Sequence, residues 1–462
     1  MALQKLRSMR VVPSRRSDSR LGTASSWRRF KLVETAIKQM TLDGCEVSPP
    51  VDVSSTFSGN LSLPIHRWYR YSAGFSAIWV RKIINQEKKN GKLNVLDPFA
   101  GSGTVLLEGE SCDVQATGIE AHPFVARVTK AKLCWSENPD DFHDYAINIL
   151  NKAEFQEGDI SGYPKLIHKC FPEEPLSKLN LLHTAWEMQA DNSPFSELAW
   201  LALASILREC SPVGTAQWQY VLPNKTKAKS IDPFRAFKSK IKLMAADMRL
   251  RQRSPPGPKS ILHFGDAREC SGIADGWADL VITSPPYANN YDYADATRLE
   301  MSFFGEVSGW GDLQEAVRKY LIRSCTQHAA KYNKQVYSIL ADPLLNAIRD
   351  EIVETCKNLD VERSNHGGQK PYHTMIAAYF CDMAKMWVSL RRVTNDDSLI
   401  CFVIGDSAPY GIYVPVHKWL GDLAIAAGFK SYSFEKTRDR NIKWKNRKHR
   451  VPLCEGHLWI RG

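Results

Sequence analysis

Two segments of this 462-residue chain carry residue types that could do chemistry together. The first, residues 95–104 (VLDPFAGSGT), is an apolar run that ends at an acid and continues into two glycines separated by one residue. The second, residues 283–287 (TSPPY), directly follows the apolar run 278–282. Glycine lets the backbone pass close to a ligand, and proline leaves a segment without an amide donor. The two segments therefore predict a ligand cradle and a pocket rich in hydrogen-bond acceptors.

The glycine-rich segment has the features of a nucleoside-cofactor site. No lysine follows the glycines, so the segment is not a phosphate-binding loop for a nucleoside triphosphate. The acid before the glycines could accept a hydrogen bond from an ammonium group, which a methionine-derived cofactor carries and a dinucleotide lacks. A second acid follows at about the spacing of roughly 20 residues expected for a group that binds ribose hydroxyls. The predicted cofactor-binding residues are Asp97, Phe99, Gly101, Gly103, Thr104, Glu120 and Asp266.

Each of these assignments has a structural alternative. The glycines could form only a tight turn in an α/β domain. Asp266, which ends a later predicted strand, could receive the adenine amino group or could simply cap that strand.

The second segment is suited to holding the exocyclic amine of a nucleobase. Such an amine is a poor nucleophile because its lone pair is delocalised into the ring. Ser284 Oγ and the carbonyl of Pro285 could accept its two N–H groups, while Tyr287 stacks on the base. The base has to leave the helical stack to reach such a pocket. The predicted catalytic residues are Ser284, Pro285, Pro286 and Tyr287, and an ordinary turn after a strand is the alternative.

These two segments resemble the motifs of amino-methylating DNA methyltransferases, and TSPPY is the form seen in the cytosine-N4-specific branch. In that family the glycine-rich turn binds S-adenosylmethionine and the SPPY segment holds the target amine. The likeness continues into residues 288–293 (ANNYDY), residues 66–76 and residues 391–406. It implies methyl transfer from S-adenosylmethionine to N4 of a flipped-out cytosine in DNA. Transfer to N6 of adenine, or to an exocyclic amine of RNA, is the alternative, and a binding protein without turnover is the rival of another class.

The elements that must position these segments are predicted to form an α/β fold. Predicted strands at 93–96, 114–119, 261–264, 278–283 and 399–404 alternate with helices, a pattern typical of a parallel sheet. The resemblance implies a class I methyltransferase-like, Rossmann-like fold: a mixed, mainly parallel sheet with helices on both faces, interrupted by helical insertions. Residues 430–434 and 457–460 are predicted to form a terminal hairpin.

We predict six segments along the chain. They are a basic tail (1–40), the first catalytic part with the cradle (41–137), a helical insertion (138–259), the second catalytic part with the amine pocket (260–309), a second helical insertion (310–370), and a third catalytic part with a basic terminal hairpin (371–462). Two basic stretches interleaved with aromatic residues, 225–253 and 436–450, are candidates for phosphate contacts, and a solvated surface is the alternative for each. Which insertion reads the target is open.

Composition narrows the expected partners and location. The net charge of +11 favours a polyanionic partner. Eleven cysteines without a Cys-x-x-Cys pair argue against a zinc module and suit a reducing compartment, so no metal is predicted. No apolar run reaches the length of a membrane span. We expect a cytoplasmic bacterial or archaeal protein that acts on DNA, with a cognate restriction endonuclease as a candidate partner. The arginine- and serine-rich start leaves organellar targeting open.

Overall fold

A seven-stranded sheet forms the centre of the protein in a computed structural model, which describes residues 57–71, 73–155, 158–216, 220–227, 229–440 and 451–462. The strands are β1 (Asn94–Asp97), β2 (Gln115–Glu120), β3 (Val213–Thr215), β4 (Val221–Thr226), β5 (Ile261–Phe264), β6 (Ala278–Thr283), β7 (Thr394–Gly405), β8 (Ser431–Asp439) and β9 (Cys454–Arg461). The sheet has the order β5-β2-β1-β6-β7-β9-β8, and β3 and β4 pair separately.

The first five strands of the sheet are parallel, and β9 runs antiparallel to both β7 and β8. The predicted mixed, mainly parallel sheet is therefore confirmed, together with the terminal hairpin. Because β1 lies between β2 and β6, the carboxyl ends of these three strands meet at one edge. That edge is where ligands of open α/β sheets bind, and it carries Asp97, Glu120 and Thr283.

Helices surround the sheet and build the insertions. They are α1 (Ala77–Lys88), α2 (Thr104–Ser111), α3 (Pro123–Leu133), α4 (Pro139–Ala153), α5 (Lys165–Cys170), α6 (Glu173–Gln189), α7 (Pro194–Cys210), α8 (Pro233–Arg251), α9 (Tyr293–Ala296), α10 (Arg298–Phe303), α11 (Leu313–Ala316), α12 (Thr326–Ala329), α13 (Val336–Leu340), α14 (Arg349–Arg363), α15 (Tyr372–Val393) and α16 (Val416–Ala426). Short 3-10 helices join several of them, including Arg318–Tyr320 and Pro343–Ile348.

Alternate residues of the central strands pack on opposite faces, as strand geometry requires. On β7, Cys401 and Val403 pack with α1 and α2, whereas Ile400, Phe402 and Ile404 pack with α15 and α16. Both faces of the sheet are thus covered by helices. This coverage explains why residues 280–282 of β6 are consecutive apolar residues rather than an alternating pattern.

A separate hydrophobic core lies outside the sheet. It is built by α4, α6, α7 and α8 of the first insertion, joined by α3 and α10. Residues 322–359 of the second insertion instead share the core on the α15 face of the sheet. The sequence analysis missed the β3–β4 hairpin, which lies inside the segment 138–259 that was predicted to be helical. The predicted tail, residues 1–40, lies outside the described residues.

None of the helices that the structure describes is both long enough and apolar enough to cross a bilayer.

Candidate active site

A cleft of about 770 Å³ opens at the carboxyl edge of the sheet. Residues from both predicted motifs line it. From the cradle and its distal acids these are Phe99, Gly101, Thr104, Glu120 and Asp266, and from the amine pocket they are Ser284 and Pro286. The remaining predicted residues, Asp97, Gly103, Pro285 and Tyr287, adjoin these in the chain. The structure thus brings the two motifs to one cleft.

The glycine turn has a conformation that favours glycine. Gly101 has φ 53° and Gly103 has φ 82°, in the left-handed region that side chains disfavour. A Cβ on Gly103 would lie 2.7 Å from Thr129 Cγ2. The Thr129 hydroxyl in turn donates a hydrogen bond to the Gly101 carbonyl at 2.6 Å. Helix α3 therefore fixes the turn from behind, which leaves its other side to the cleft.

Asp97 links the two motifs directly. Its Oδ1 accepts hydrogen bonds from the Phe99 amide at 3.0 Å and from the Thr283 hydroxyl at 2.5 Å. Its Oδ2 is buried and has no hydrogen-bond partner among the described residues. Burial raises the pKa of Asp97 to about 7, although both hydrogen bonds oppose that shift. A buried acceptor with a free oxygen suits a cationic ligand, which would satisfy the orphaned atom.

Glu120 is the second acid at this edge. Its two oxygens accept hydrogen bonds from the Gly101 and His122 amides, both at 2.8 Å. Burial raises the pKa of Glu120 to about 7. Each oxygen keeps a further lone pair, so the carboxylate can accept hydroxyl groups while it holds the glycine turn in place.

Asp266 is engaged by a neighbouring arginine. Arg268 donates to both of its oxygens and also pairs with Asp382 at 3.2 Å. Asp382, which is buried, in turn pairs with Arg323 of the second insertion at 2.6 Å. A contact between Asp266 and an adenine amino group would therefore use the lone pairs that Arg268 leaves free.

In the amine pocket, the Ser284 hydroxyl donates to the Val403 carbonyl at 3.3 Å. Its proton is thus directed to β7, and Oγ keeps acceptor capacity, for which the neighbouring Tyr287 hydroxyl competes. Pro285 is buried, and Tyr287 is half-buried. The guanidinium of Arg440 lies 5.0 Å from the centre of the Tyr287 ring, a cation–π distance. Burial raises the pKa of Tyr287, so the side chain is a neutral ring at physiological pH.

Sequence reasoning missed the ion cluster that holds the loop after the amine pocket. Asp292 is buried and pairs with Arg318 at 2.6 Å and with His328 at 3.1 Å. Burial favours neutral forms, but hydrogen bonds within the cluster outweigh it: the pKa of Asp292 falls to about 2 and that of His328 rises to about 10. Cys325 lies close enough to complete a three-residue metal-ligand set. Two cations already neutralise Asp292, which disfavours a third.

Two further groups of the cleft carried no sequence signal that we used. Tyr320, Leu321 and Ile322 of the second insertion line it. So does His122, whose Nε2 lies 2.8 Å from the Thr297 hydroxyl while its buried Nδ1 has no partner among the described residues. Burial lowers the pKa of His122 to about 4. Its place two residues after Glu120 is the signal that could have identified it.

The basic stretches differ in what the structure describes. In the first stretch, Phe237, Ile241 and Met244 are buried, and seven exposed cations lie on the same segment. These are Lys225, Lys229, Arg235, Lys238, Lys242, Arg249 and Arg253. Most of the second stretch, residues 441–450, lies outside the described residues.

Two curated proteins are similar to this chain over most of its length. Type II methyltransferase M.AvaI from Nostoc sp. is 24% identical over 421 residues, which cover 81% of each chain. Type II methyltransferase M.BsoBI from Geobacillus stearothermophilus is 23% identical over 453 residues, which cover 86% of each chain. No protein-family model and no solved structure matches the chain significantly.

Proposed function

This chain is a relative of the type II DNA methyltransferases, as its motifs predicted, and we propose that it methylates the exocyclic N4 amine of cytosine in a flipped-out base of DNA. The methyl donor is S-adenosylmethionine, which the resemblance predicts and the relationship supports. The cytosine-N4 target rests on the TSPPY form of the motif. A cytoplasmic location and a restriction endonuclease partner stay predictions.

One observation carries the proposal: Gly101 of the cradle and Ser284 of the amine pocket line the same cleft. A methyl group passes between donor and acceptor only when the two are in contact, and positioning supplies much of the rate. The hydrogen bond from Thr283 to Asp97 joins the two motifs across neighbouring strands. It therefore limits relative movement of the donor and acceptor sites.

The residues of the cradle fit the proposed donor. The free Oδ2 of Asp97 is matched to the ammonium of the methionine moiety, because a charged donor satisfies a buried carboxylate oxygen. Glu120 is placed to accept ribose hydroxyls, and Phe99 provides an apolar wall. When bound, S-adenosylmethionine supplies an electrophilic methyl group on its sulphonium.

The residues of the amine pocket prepare the acceptor. Ser284 Oγ and the Pro285 carbonyl accept the two N–H groups, which directs the nitrogen lone pair away from the ring plane. Because the Ser284 hydroxyl donates a hydrogen bond to the Val403 carbonyl, its oxygen can act toward the amine as an acceptor. Tyr287 offers its ring for stacking on the base, which stabilises a base by about 1–3 kcal/mol.

A labelled-methyl transfer assay on DNA and on RNA tests the proposal, followed by mass spectrometry of the product nucleosides. We expect N4-methylcytosine in DNA. N6-methyladenine in DNA would show that adenine is the acceptor instead. Label in RNA would show that RNA is the substrate instead. No label in either nucleic acid would contradict the proposal.

Replacing Ser284 by alanine tests the pocket itself. We expect kcat to fall by about 10²–10³, the usual effect of losing one preorganised hydrogen bond at a reacting group, while donor binding stays unchanged. Ser271→Ala is the matched control, because Ser271 is exposed and does not line the cleft. Equal kcat in both variants would remove Ser284 from the reaction.

A further inference from the structure

A second groove, here called the loop groove, lies beside the amine pocket. It has about 820 Å³ of open space and shares no lining residue with the cofactor cleft. Its lining residues are Asn289, His366, Gly367, Lys370, Tyr372, Ala408, Pro409 and Tyr410.

The loop groove is close to the amine pocket along the chain and in the sheet. Asn289 follows Tyr287 by two residues, a span of at most about 7 Å. Ala408 and Tyr410 follow the end of β7, which is the neighbour of β6 in the sheet. The groove and the amine pocket are therefore adjacent at the carboxyl edge, on the side away from β1 and β2.

The chemistry of the loop groove suits a nucleotide. The rings of His366 and Tyr410 are stacked at 4.1 Å and 11°, and Tyr372 meets Tyr410 edge-on at 4.7 Å. Lys370 is exposed and has no ion-pair partner among the described residues, while the Glu362 carboxylate lies behind the groove wall, 3.1 Å from His366 Nε2. Aromatic faces beside an unpaired cation are the combination that binds a base and its phosphate.

Two residues of the loop groove also have an unusual backbone conformation. Asn289 has φ 60° and Tyr410 has φ 52°, a region that costs energy for residues with side chains and that clusters at functional sites. The Tyr410 hydroxyl donates to the Lys370 carbonyl at 3.2 Å. That bond ties the strained turn to the segment that carries the lysine.

We propose that the loop groove binds the nucleotide next to the target base in the target strand, with Lys370 on its phosphate and the tyrosine rings against its base. This assignment rests on the proposed function, since it requires a DNA strand with one base extruded. It adds a contact that fixes the strand beside the flipped base.

Lys370→Gln tests the phosphate contact in the full-length protein. The probe is an unmethylated duplex that contains the sequence the protein methylates. That sequence is identified by sequencing DNA from a methylation-free host that expresses the protein. Binding is measured by fluorescence anisotropy with S-adenosylhomocysteine present. We expect binding weakened by up to about tenfold and a slope of log affinity against log salt reduced by about 1. Lys357→Gln, an exposed lysine of α14 outside the groove, should change neither. A slope for Lys370→Gln equal to that of the wild type would overturn the proposal.

Photo-crosslinking of the wild-type protein tests the base contact without any variant. 5-Iododeoxyuridine is placed in turn at the target position and at the flanking positions on either side, and crosslinked peptides are identified by mass spectrometry. A crosslink from the immediate neighbour to Tyr372 or Tyr410 supports the assignment. A crosslink to these tyrosines from the target position overturns the assignment. So does the absence of a crosslink to them from both flanking positions.

The two proposals fail separately. Methylation of the duplex by the wild-type protein tests the proposed function. If the wild type methylates that duplex while Lys370→Gln behaves identically to it, the groove assignment alone is lost.

Discussion

The first insertion builds a core outside the sheet, which Leu313 and Val317 of the second insertion also join. Most of the second insertion, residues 322–359, instead packs onto the sheet, and its residues 320–322 line the cleft. Charges next to the cleft and on α8 differ in the same way, although Arg208 of the first insertion also pairs with the buried Glu300. Arg318 and Arg323 of the second insertion are largely buried in ion pairs with Asp292 and Asp382. Lys238 and Lys242 of the first are exposed, with no ion-pair partner among the described residues.

This difference separates two tasks that a helical insertion can perform. Buried charges that are fully paired fix one arrangement of the chain and are costly to break. Exposed cations without partners contribute little to the fold but remain available to a polyanion. We therefore interpret the ion-paired part of the second insertion, residues 318–323, as part of the wall of the cleft. We interpret the exposed face of α8 in the first insertion as a surface that can contact DNA phosphates, in addition to the Lys370 contact proposed for the loop groove.

The largest effect is expected from Arg318→Met in the second insertion. The substitution leaves Asp292 buried with only His328 as a charged partner, so we expect a loss of about 3–5 kcal/mol in the free energy of unfolding, measured by urea denaturation. The matched control is Lys178→Met, which breaks the exposed pairs of Lys178 with Glu174 and Asp232 in the first insertion. That control should lose under about 1 kcal/mol. Similar losses in both variants would remove the contrast between the insertions.

A pH-dependent effect is expected from His328. Its pKa of about 10 in the folded protein lies above the ordinary value of 6.5. The stability that its charge contributes is therefore fully present below about pH 6.5 and is lost as the pH rises toward 10. The difference in unfolding free energy between the wild type and His328→Gln should shrink over that interval. A difference that is constant with pH would show that His328 is neutral in the fold.

Local segments of the fold and site could be predicted from the sequence, and long-range contacts could not. The cradle, its distal acid and the TSPPY segment are each contiguous or regularly spaced, because strand, turn and helix follow one another within a βαβ unit. Strands β5 and β6 were predicted at their observed bounds for the same reason. The pairing of Asp292 with Arg318 and His328 joins residues 26 and 36 positions apart, through short helices without a clear periodicity.

The two insertions also show that local features could be predicted from the sequence and long-range contacts could not. Both were predicted as interruptions of the α/β pattern, because loss of alternation is a local signal. Their placement around the cleft depends on which core each one joins. Packing between segments distant in the chain determines which core each insertion joins. The spacing of residues in the sequence does not predict that packing.

The smallest effect on the fold is expected from substitutions on α8 of the first insertion. These should change the affinity for DNA and leave the free energy of unfolding unchanged. Lys238 and Lys242 lie one helical turn apart on the exposed face of α8. If they contact phosphates, the double variant Lys238→Gln/Lys242→Gln should reduce the slope of log affinity against log salt by about 2, since each phosphate contact contributes about 0.9. Unfolding free energy and donor affinity should stay unchanged, because neither lysine is in an ion pair within the described residues.

The control for that measurement is Lys89→Gln. Lys89 is equally exposed but follows α1 on the way into β1, at the edge of the sheet opposite the cleft, so its loss should leave the slope unchanged. If Lys89→Gln changes the slope per charge as much as the double variant does, the effect comes from net charge alone and α8 is an ordinary solvated face. If only the α8 variant changes the slope, α8 of the first insertion contacts the DNA backbone. Its exposed lysines then have the phosphate-binding task proposed for them, in contrast to the buried ion pairs of the second insertion.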